Sequence, residues 1–336
     1  MSRIIGYHLN GVSAGEVHAS CTRGWAINDG GEARITLAES DLADWLDFGR
    51  MVLVEHARLP AWAGMIDPPW DALLPVGVTL YPAEYLLAQR TPEEPMTLHG
   101  SPGQIALQLL EMANAQEDLL IRPGEVDLDE VDRDYEIDQR TIWVQLQELA
   151  TATGMEMQIR PARDLNNHLV LFFDFKRRLG VDTNFLFQST GDEANIEITQ
   201  LTVDGDIWNS IIGIGSQSSK ASRLQAGPVI DEESINHYRL RSKVVQFAGV
   251  TVDTTLLQSC QVELENCRQP FLKIRANALD VGETFANIAL GNTGILHVAN
   301  ARLPGDVRGW RGIIRIAAME YDEATNKVGM NLEATL

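Results

Sequence analysis

The chain has 336 residues, 45% of them hydrophobic and 22% charged, with 27 Lys and Arg against 47 Asp and Glu for a formal charge of −20. That balance excludes a disordered tail and a membrane-spanning protein, and the scattered carboxylates repel phosphate backbones rather than grip nucleic acid. The length exceeds what one hydrophobic core usually organises, so internal boundaries are expected.

No secretory leader or span of about 20 apolar residues opens the chain, which predicts synthesis in a cytoplasm without processing. The first ninety residues alternate apolar and polar positions between turn clusters such as Asn28-Asp29-Gly30-Gly31, the pattern of β-structure. Met51–Glu55, Trp62–Ile66 and Val76–Leu80 read as strands, with Leu59-Pro60 ending the first. A short helix is predicted from Pro82 to Gln89. After Thr91-Pro92-Glu93-Glu94-Pro95 the period becomes helical: Ser101-Pro102-Gly103-Gln104 forms a capping box ahead of the stripe Ile105, Leu109, Met112. Asp127–Asp138 reads as an acidic exposed connection, Arg140–Thr153 as a second helix stopped by Gly154, and Met155–Ile159 with Leu169–Phe173 as a hairpin turning at Asn166-Asn167-His168.

From Asn195 the strand pattern returns. Ile196–Thr199 and Ile207–Ile214 are predicted to pair across Asp204-Gly205-Asp206, and Ser216–Pro228 to be loop. Thr254–Cys267 is a helix ended by Gln269-Pro270, and the remainder is short strands.

Cys21, Cys260 and Cys267 match neither a disulfide framework nor paired zinc knuckles. Cys260 and Cys267 fall on one helix face about 10 Å apart, too far to bridge. The histidines show no metal-ligand spacing, Gly213-Ile214-Gly215-Ser216 lacks the third glycine of a nucleotide loop, and no nucleophile elbow or phosphate loop occurs. No catalytic residue, metal or cofactor is expected, and the chain is not read as an enzyme.

The most informative feature is an internal echo. Val54-Glu55-His56-Ala57-Arg58-Leu59-Pro60 returns as Val298-Ala299-Asn300-Ala301-Arg302-Leu303-Pro304, and Trp62-Ala63-Gly64-Met65-Ile66 returns as Trp310-Arg311-Gly312-Ile313-Ile314. Each unit is a strand that stops at Leu-Pro and sends back a second strand. Pro60 and Pro304 end the ladder, Trp62 and Trp310 anchor it, Gly64 and Gly312 leave room on the same face, and Ile66 and Ile314 continue the inward row. The fold class is therefore α+β: a first β-barrel over 1–95, a helix pair with a hairpin over 96–180, and a second β-barrel over 181–336 with an inserted helix-containing segment at about 229–280.

Taken in order, these features resemble the baseplate-hub proteins of tailed bacteriophages, related in fold to type VI secretion spike bases. The resemblance rests on Trp62-x-Gly64-x-Ile66, the helix pair ending at Leu149–Gly154 before a hairpin, and Asn209–Gly215 after a Gly-Asp turn. It continues through Glu233–Tyr238, the Thr254–Cys267 helix closed by Arg268-Gln269-Pro270, Leu303–Asp306 leading to Arg315-Ile316, and Glu320-Tyr321-Asp322. It implies a homotrimeric, pseudo-sixfold ring in a virion tail tip that joins a distal tail or tail-tube ring to a central fibre or spike. A tape-measure protein is a further contact, DNA passes through without specific binding, and no membrane is entered. The chain ends at Leu336 without the lysin, carbohydrate-binding or fibre-like extensions of longer siphophage versions, so cell-wall digestion is not expected. A hexameric distal-tail ring protein, a cell-wall hydrolase and a carbohydrate-binding module are the alternatives.

Overall fold

The computed structural model describes residues 2–38, 44–71, 75–216, 223–247, 250–303 and 307–335. β1 (Ser2–Tyr7), β2 (Ser13–Ala26), β3 (Asp29–Leu37), β4 (Met51–Glu55), β5 (Trp62–Asp71) and β6 (Val76–Pro82) hydrogen-bond in the order β1-β4-β5-β6-β3-β2. β2 then pairs back onto β1 and closes a six-stranded antiparallel barrel. The Met-Val-Leu-Val run of β4 is an exception to the alternation of its neighbours, because both of its faces are covered. Val52 and Val54 fill the barrel interior with Ile4, Ile35, Trp62 and Ile66, while Met51 and Leu53 point outward into a second core. A strand buried on both faces has no polar alternation to show.

That second core belongs to a helical layer: α1 (Tyr85–Ala88), β7 (Met96–Gly100), α2 (Pro102–Gln116), β8 (Ile121–Val126), β9 (Arg133–Ile137), α3 (Ile142–Thr153), β10 (Glu156–Arg163) and β11 (Leu169–Lys176). Ser101 caps α2 through both arms of the capping box, its Oγ accepting from the Gln104 N–H at 3.4 Å while the Gln104 side chain accepts from the Ser101 N–H at 2.9 Å. Ile105, Leu109 and Leu110 are buried below this cap. Gly154 ends α3 in the left-handed region at φ 67°, a conformation costly for any residue with a Cβ. β10 and β11 form the predicted antiparallel hairpin.

β12 (Asp182–Gln188) and β13 (Ile196–Asp204) precede a small unit of β14 (Ser210–Ile214), β15 (Gln225–Ile230), α4 (Glu232–Tyr238), β16 (Ser242–Gln246) and α5 (Asp253–Cys267). β17 (Phe271–Leu279), β18 (Thr293–Leu303), β19 (Val307–Asp322) and β20 (Lys327–Thr335) complete a second barrel in the order β12-β18-β19-β20-β17-β13. Following the ladder directions, β12 and β13 run the same way. The loop between them brings its ends together, the Asn195 N–H donating to the Gln188 carbonyl at 2.9 Å. The two therefore act as one strand with a loop let into it: its first part pairs in parallel with β18, and its second part pairs antiparallel with β17.

With that strand set against β2, the barrels correspond strand for strand: β12 with β13 to β2, β17 to β3, β18 to β4, β19 to β5 and β20 to β6. Only β1 lacks a counterpart among the described residues. Its absence explains the parallel pair, because β2 and β4 are each antiparallel to β1 and hence parallel to one another.

Four expectations are corrected. Pro82 closes β6 instead of opening a helix, and α1 begins only at Tyr85. Arg133–Ile137, inside the stretch read as an exposed connection, is β9, with Tyr135 and Ile137 buried against α3. β13 and β14 do not form a hairpin; they leave Asp204-Gly205-Asp206 for different sheets. Gln225–Ile230, read as loop, is β15.

Candidate functional site

The two echo units occupy the same ladder positions. Val54 stands opposite Trp62 as Val298 stands opposite Trp310, and Val52 opposite Gly64 as Leu296 opposite Gly312. In each unit the indole ring lies over the glycine two residues on. A Cβ on Gly64 would fall 2.2 Å from the Trp62 ring and 2.1 Å from the Tyr81 carbonyl oxygen, and one on Gly312 would fall 2.3 Å from the Trp310 ring. Trp62 is buried in the first barrel and donates its indole N–H to the Gly31 carbonyl at 2.8 Å. Trp310 is half-buried at the margin of the second core. Ile66 and Ile314 are fully buried, Pro60 is half-buried, and Pro304 lies outside the described residues.

The segment after Val54 does more than end a strand. Leu59 leaves its own barrel and packs in the second barrel's core with Phe285 and Tyr321. Arg58 reaches Asp280 at 2.5 Å, and the His56 ring lies 5.2 Å from that of Tyr321. Burial, followed by the nearby Arg23 cation, holds the His56 pKa below its ordinary value.

Beside this segment the barrels share backbone hydrogen bonds. The end of β2, Thr22–Ala26, pairs antiparallel with Ala318–Asp322 of β19, so both barrels belong to one twelve-stranded sheet. Arg23 sits in this seam with no solvent exposure, its guanidinium 5.1 Å from the Tyr321 ring and 5.4 Å from the Trp25 ring, with Nη1 donating to Ser2 Oγ at 2.8 Å. Burial pushes its pKa down, opposed by Cys21 and by the Glu323 carboxylate. Glu323 accepts from the Cys21 N–H at 3.0 Å; burial alone would raise its pKa, but the hydrogen bonds it accepts hold it below the usual carboxylate range. The buried cation thus joins Trp25 of the first barrel to Tyr321 of the second through its two ring faces.

The β2–β3 turn completes the junction. Asn28, at φ 59°, exchanges backbone and side-chain hydrogen bonds with Met155 and Met157 at the start of the β10 hairpin, and the Ile27 N–H donates to the Ala317 carbonyl at 3.2 Å. Where the barrels and hairpin meet there is a cavity of about 270 Å³, lined by Trp25, Ala61, Trp62, Glu84, Ile159 and Met319 among others. Glu84 is buried there and accepts from the Ile159 N–H at 3.2 Å; burial pushes its pKa up to about 7.

Among the described residues no group of three or more His, Cys, Asp or Glu side chains is placed to hold a metal. No helix among them is long and apolar enough to cross a membrane. Burial pushes the Cys21 and Cys267 thiols up to about 11, so they are inert thiols rather than nucleophiles. Gly213 is explained by packing: a Cβ there would lie 2.4 Å from Cys260 Sγ on α5. The arrangement joins substructures.

No protein-family profile and no curated protein matches the sequence. Solved structures do match the fold along nearly the whole chain. The prophage tail protein gp18 from Listeria monocytogenes is similar over 98% of this chain and 94% of its own, with 12% identity and a TM-score of 0.59. The 43 kDa tail protein of prophage MuSo2 from Shewanella oneidensis is similar over 99% and 98%, with 12% identity and a TM-score of 0.58. The E. coli c3393 protein, a component of the type VI secretion system with structural similarity to T4 tail proteins gp27 and gp5, is similar over 95% and 73%, with 10% identity and a TM-score of 0.50. The chain has the fold of phage tail proteins related to type VI secretion components.

Proposed function

We propose that the chain is a structural subunit of a phage-type tail tip: a baseplate hub that forms a homotrimeric, pseudo-sixfold ring between the tail tube and a central fibre or spike. The observation that carries this reading is the seam between β2 and β19. It fixes two barrels of matching strand order side by side in one chain, so three chains supply six such units around an axis. A hexamer of the same chain would supply twice as many and lose the match to a sixfold tube, which disfavours the distal-ring alternative. On this reading the partners are a distal tail or tube ring protein, the fibre or spike, and a tape-measure protein, and DNA passes without being bound. The test is the mass of the purified chain in solution together with symmetry in assembled particles. Three copies in a ring are expected; six copies, or a monomer in both settings, would overturn the hub assignment.

A further inference from the structure

The cavity where the barrels meet the hairpin holds a carboxyl group that the junction uses only in part. Glu84 is 8% exposed, and its Oε1 accepts from the Ile159 N–H at 3.2 Å. Oε2 lies beside Gly30 and accepts from no other residue among the described ones, so it is the oxygen left to the cavity. A second carboxylate, Asp29, lines the same space and has no ion pair among the described residues. The third charged group of the wall, Arg160, is already engaged: its Nη2 donates to Asp174 Oδ1 at 2.9 Å and its Nε to Oδ2. The Gln158 and Asn292 amides of the wall donate elsewhere, to Asp174 and to the Asn287 carbonyl. The space is therefore negative and short of donors.

Trp25, Trp62 and Met319 supply much of the remaining wall. Both indole N–H groups are taken by carbonyls, that of Trp62 by Gly31 at 2.8 Å and that of Trp25 by Ala61 at 3.5 Å. What the rings offer a ligand is π surface, which attracts cations. No third metal-ligating side chain joins the two carboxylates among the described residues, so the chemistry suits an organic cation better than a bare ion. At about 270 Å³ the cavity falls just below the roughly 300–1,000 Å³ of sites for drug-sized ligands, which leaves room for a small one.

We propose that this cavity binds a primary alkylammonium group, with its N–H donors on Glu84 Oε2 and its alkyl chain against Trp25, Trp62 and Met319. Asp29 adds a second negative charge. An ionised Glu84 without a counter-charge destabilises the fold, and a bound ammonium offsets that loss by pairing with it. The inference does not depend on the ring reading. A free amine and a lysine side chain carry the same group, and two probes separate them.

The test is thermal melting of the intact chain at constant ionic strength with n-butylammonium, with N-acetyl-lysine N-methylamide and with 1-butanol. Butylammonium is expected to raise the melting temperature at pH 8, where Glu84 is ionised, and hardly at pH 5, its affinity falling about tenfold per pH unit below the Glu84 pKa of about 7. 1-Butanol, the same size without the charge, is expected to give no such rise. Glu84→Gln keeps the shape of the side chain and is expected to weaken butylammonium by about tenfold or more. A rise with the blocked lysine as well assigns the site to side chains of a partner; a rise with butylammonium alone assigns it to free amines. No rise with butylammonium, an equal rise with 1-butanol, the same rise at both pH values, or undiminished binding by the Glu84→Gln chain would each overturn the proposal.

Discussion

The Arg23 guanidinium lies 5.1 Å from the centre of the Tyr321 ring, which places a fully buried cation from the first barrel against an aromatic face from the second. Removing it leaves Ser2 Oγ without this donor and takes the cation from the Tyr321 and Trp25 ring faces. Arg23→Ala is expected to cost about 1–3 kcal/mol, the range for losing a desolvated cation–ring contact together with one hydrogen bond from a charged group. Chemical denaturation measures this. A loss below about 1 kcal/mol would show that the seam is held by its backbone ladder alone.

The two tryptophans differ in burial, so their truncations should differ. Trp62→Ala is expected to cost about 3–5 kcal/mol, and Trp310→Ala clearly less because its ring is half-buried. Gly64→Ala should be as damaging as Trp62→Ala, since the new methyl group meets the Tyr81 carbonyl as well as the indole. Gly312→Ala meets only the Trp310 side chain within the contacts nearest to it, and the ring can tilt away. Melting temperatures of the four variants give the order directly.

Glu84 predicts a pH dependence. Its folded pKa of about 7 lies above the ordinary carboxylate value, so the folded chain holds a proton that the unfolded chain releases. Stability from this group is complete below about pH 4.5 and is lost as pH rises toward 7. Glu84→Gln removes the penalty. It should melt with the wild type at pH 4.5 and be more stable at pH 8 by on the order of 3 kcal/mol. Equal melting at both pH values would mean that water in the adjoining cavity solvates the carboxylate.

The charge of −20 predicts negligible affinity for DNA at physiological salt. Fluorescence anisotropy with a labelled duplex should show no binding that salt can reverse. A surface that attracted phosphates would retard a genome passing along it. Salt-sensitive binding by the purified protein would defeat the conduit reading without touching the fold.

Much of this architecture was legible locally. The capping box at Ser101, the stop at Gly154 and the Asn166–His168 hairpin depend on neighbours in sequence, and each formed where its residues predicted. The echo was also legible, because duplicated strands keep duplicated anchors. What was not legible depends on distant partners. Asp204-Gly205-Asp206 is a sound turn, but nothing in it tells that β13 and β14 join different sheets. Arg133–Ile137 alternates correctly for a strand, yet the acidic residues around it outweighed Tyr135 and Ile137. Arg23 carried no signal at all, because an arginine is normally exposed and its two ring partners include one almost 300 positions away. Likewise, Leu59 reads as a strand-ending residue, although it packs in the second barrel's core.

The ladder between β2 and β19 also sets a timetable. Cys21 and Glu323, which share a hydrogen bond beside it, are 302 residues apart. During synthesis, the first barrel and the helical layer can close while β19 is still unmade, whereas the second barrel and the seam must wait for it. Until then the outer edge at the end of β2 stands open, and so long a loop closes slowly. A nascent chain therefore cannot hold its two barrels side by side before its last strands emerge.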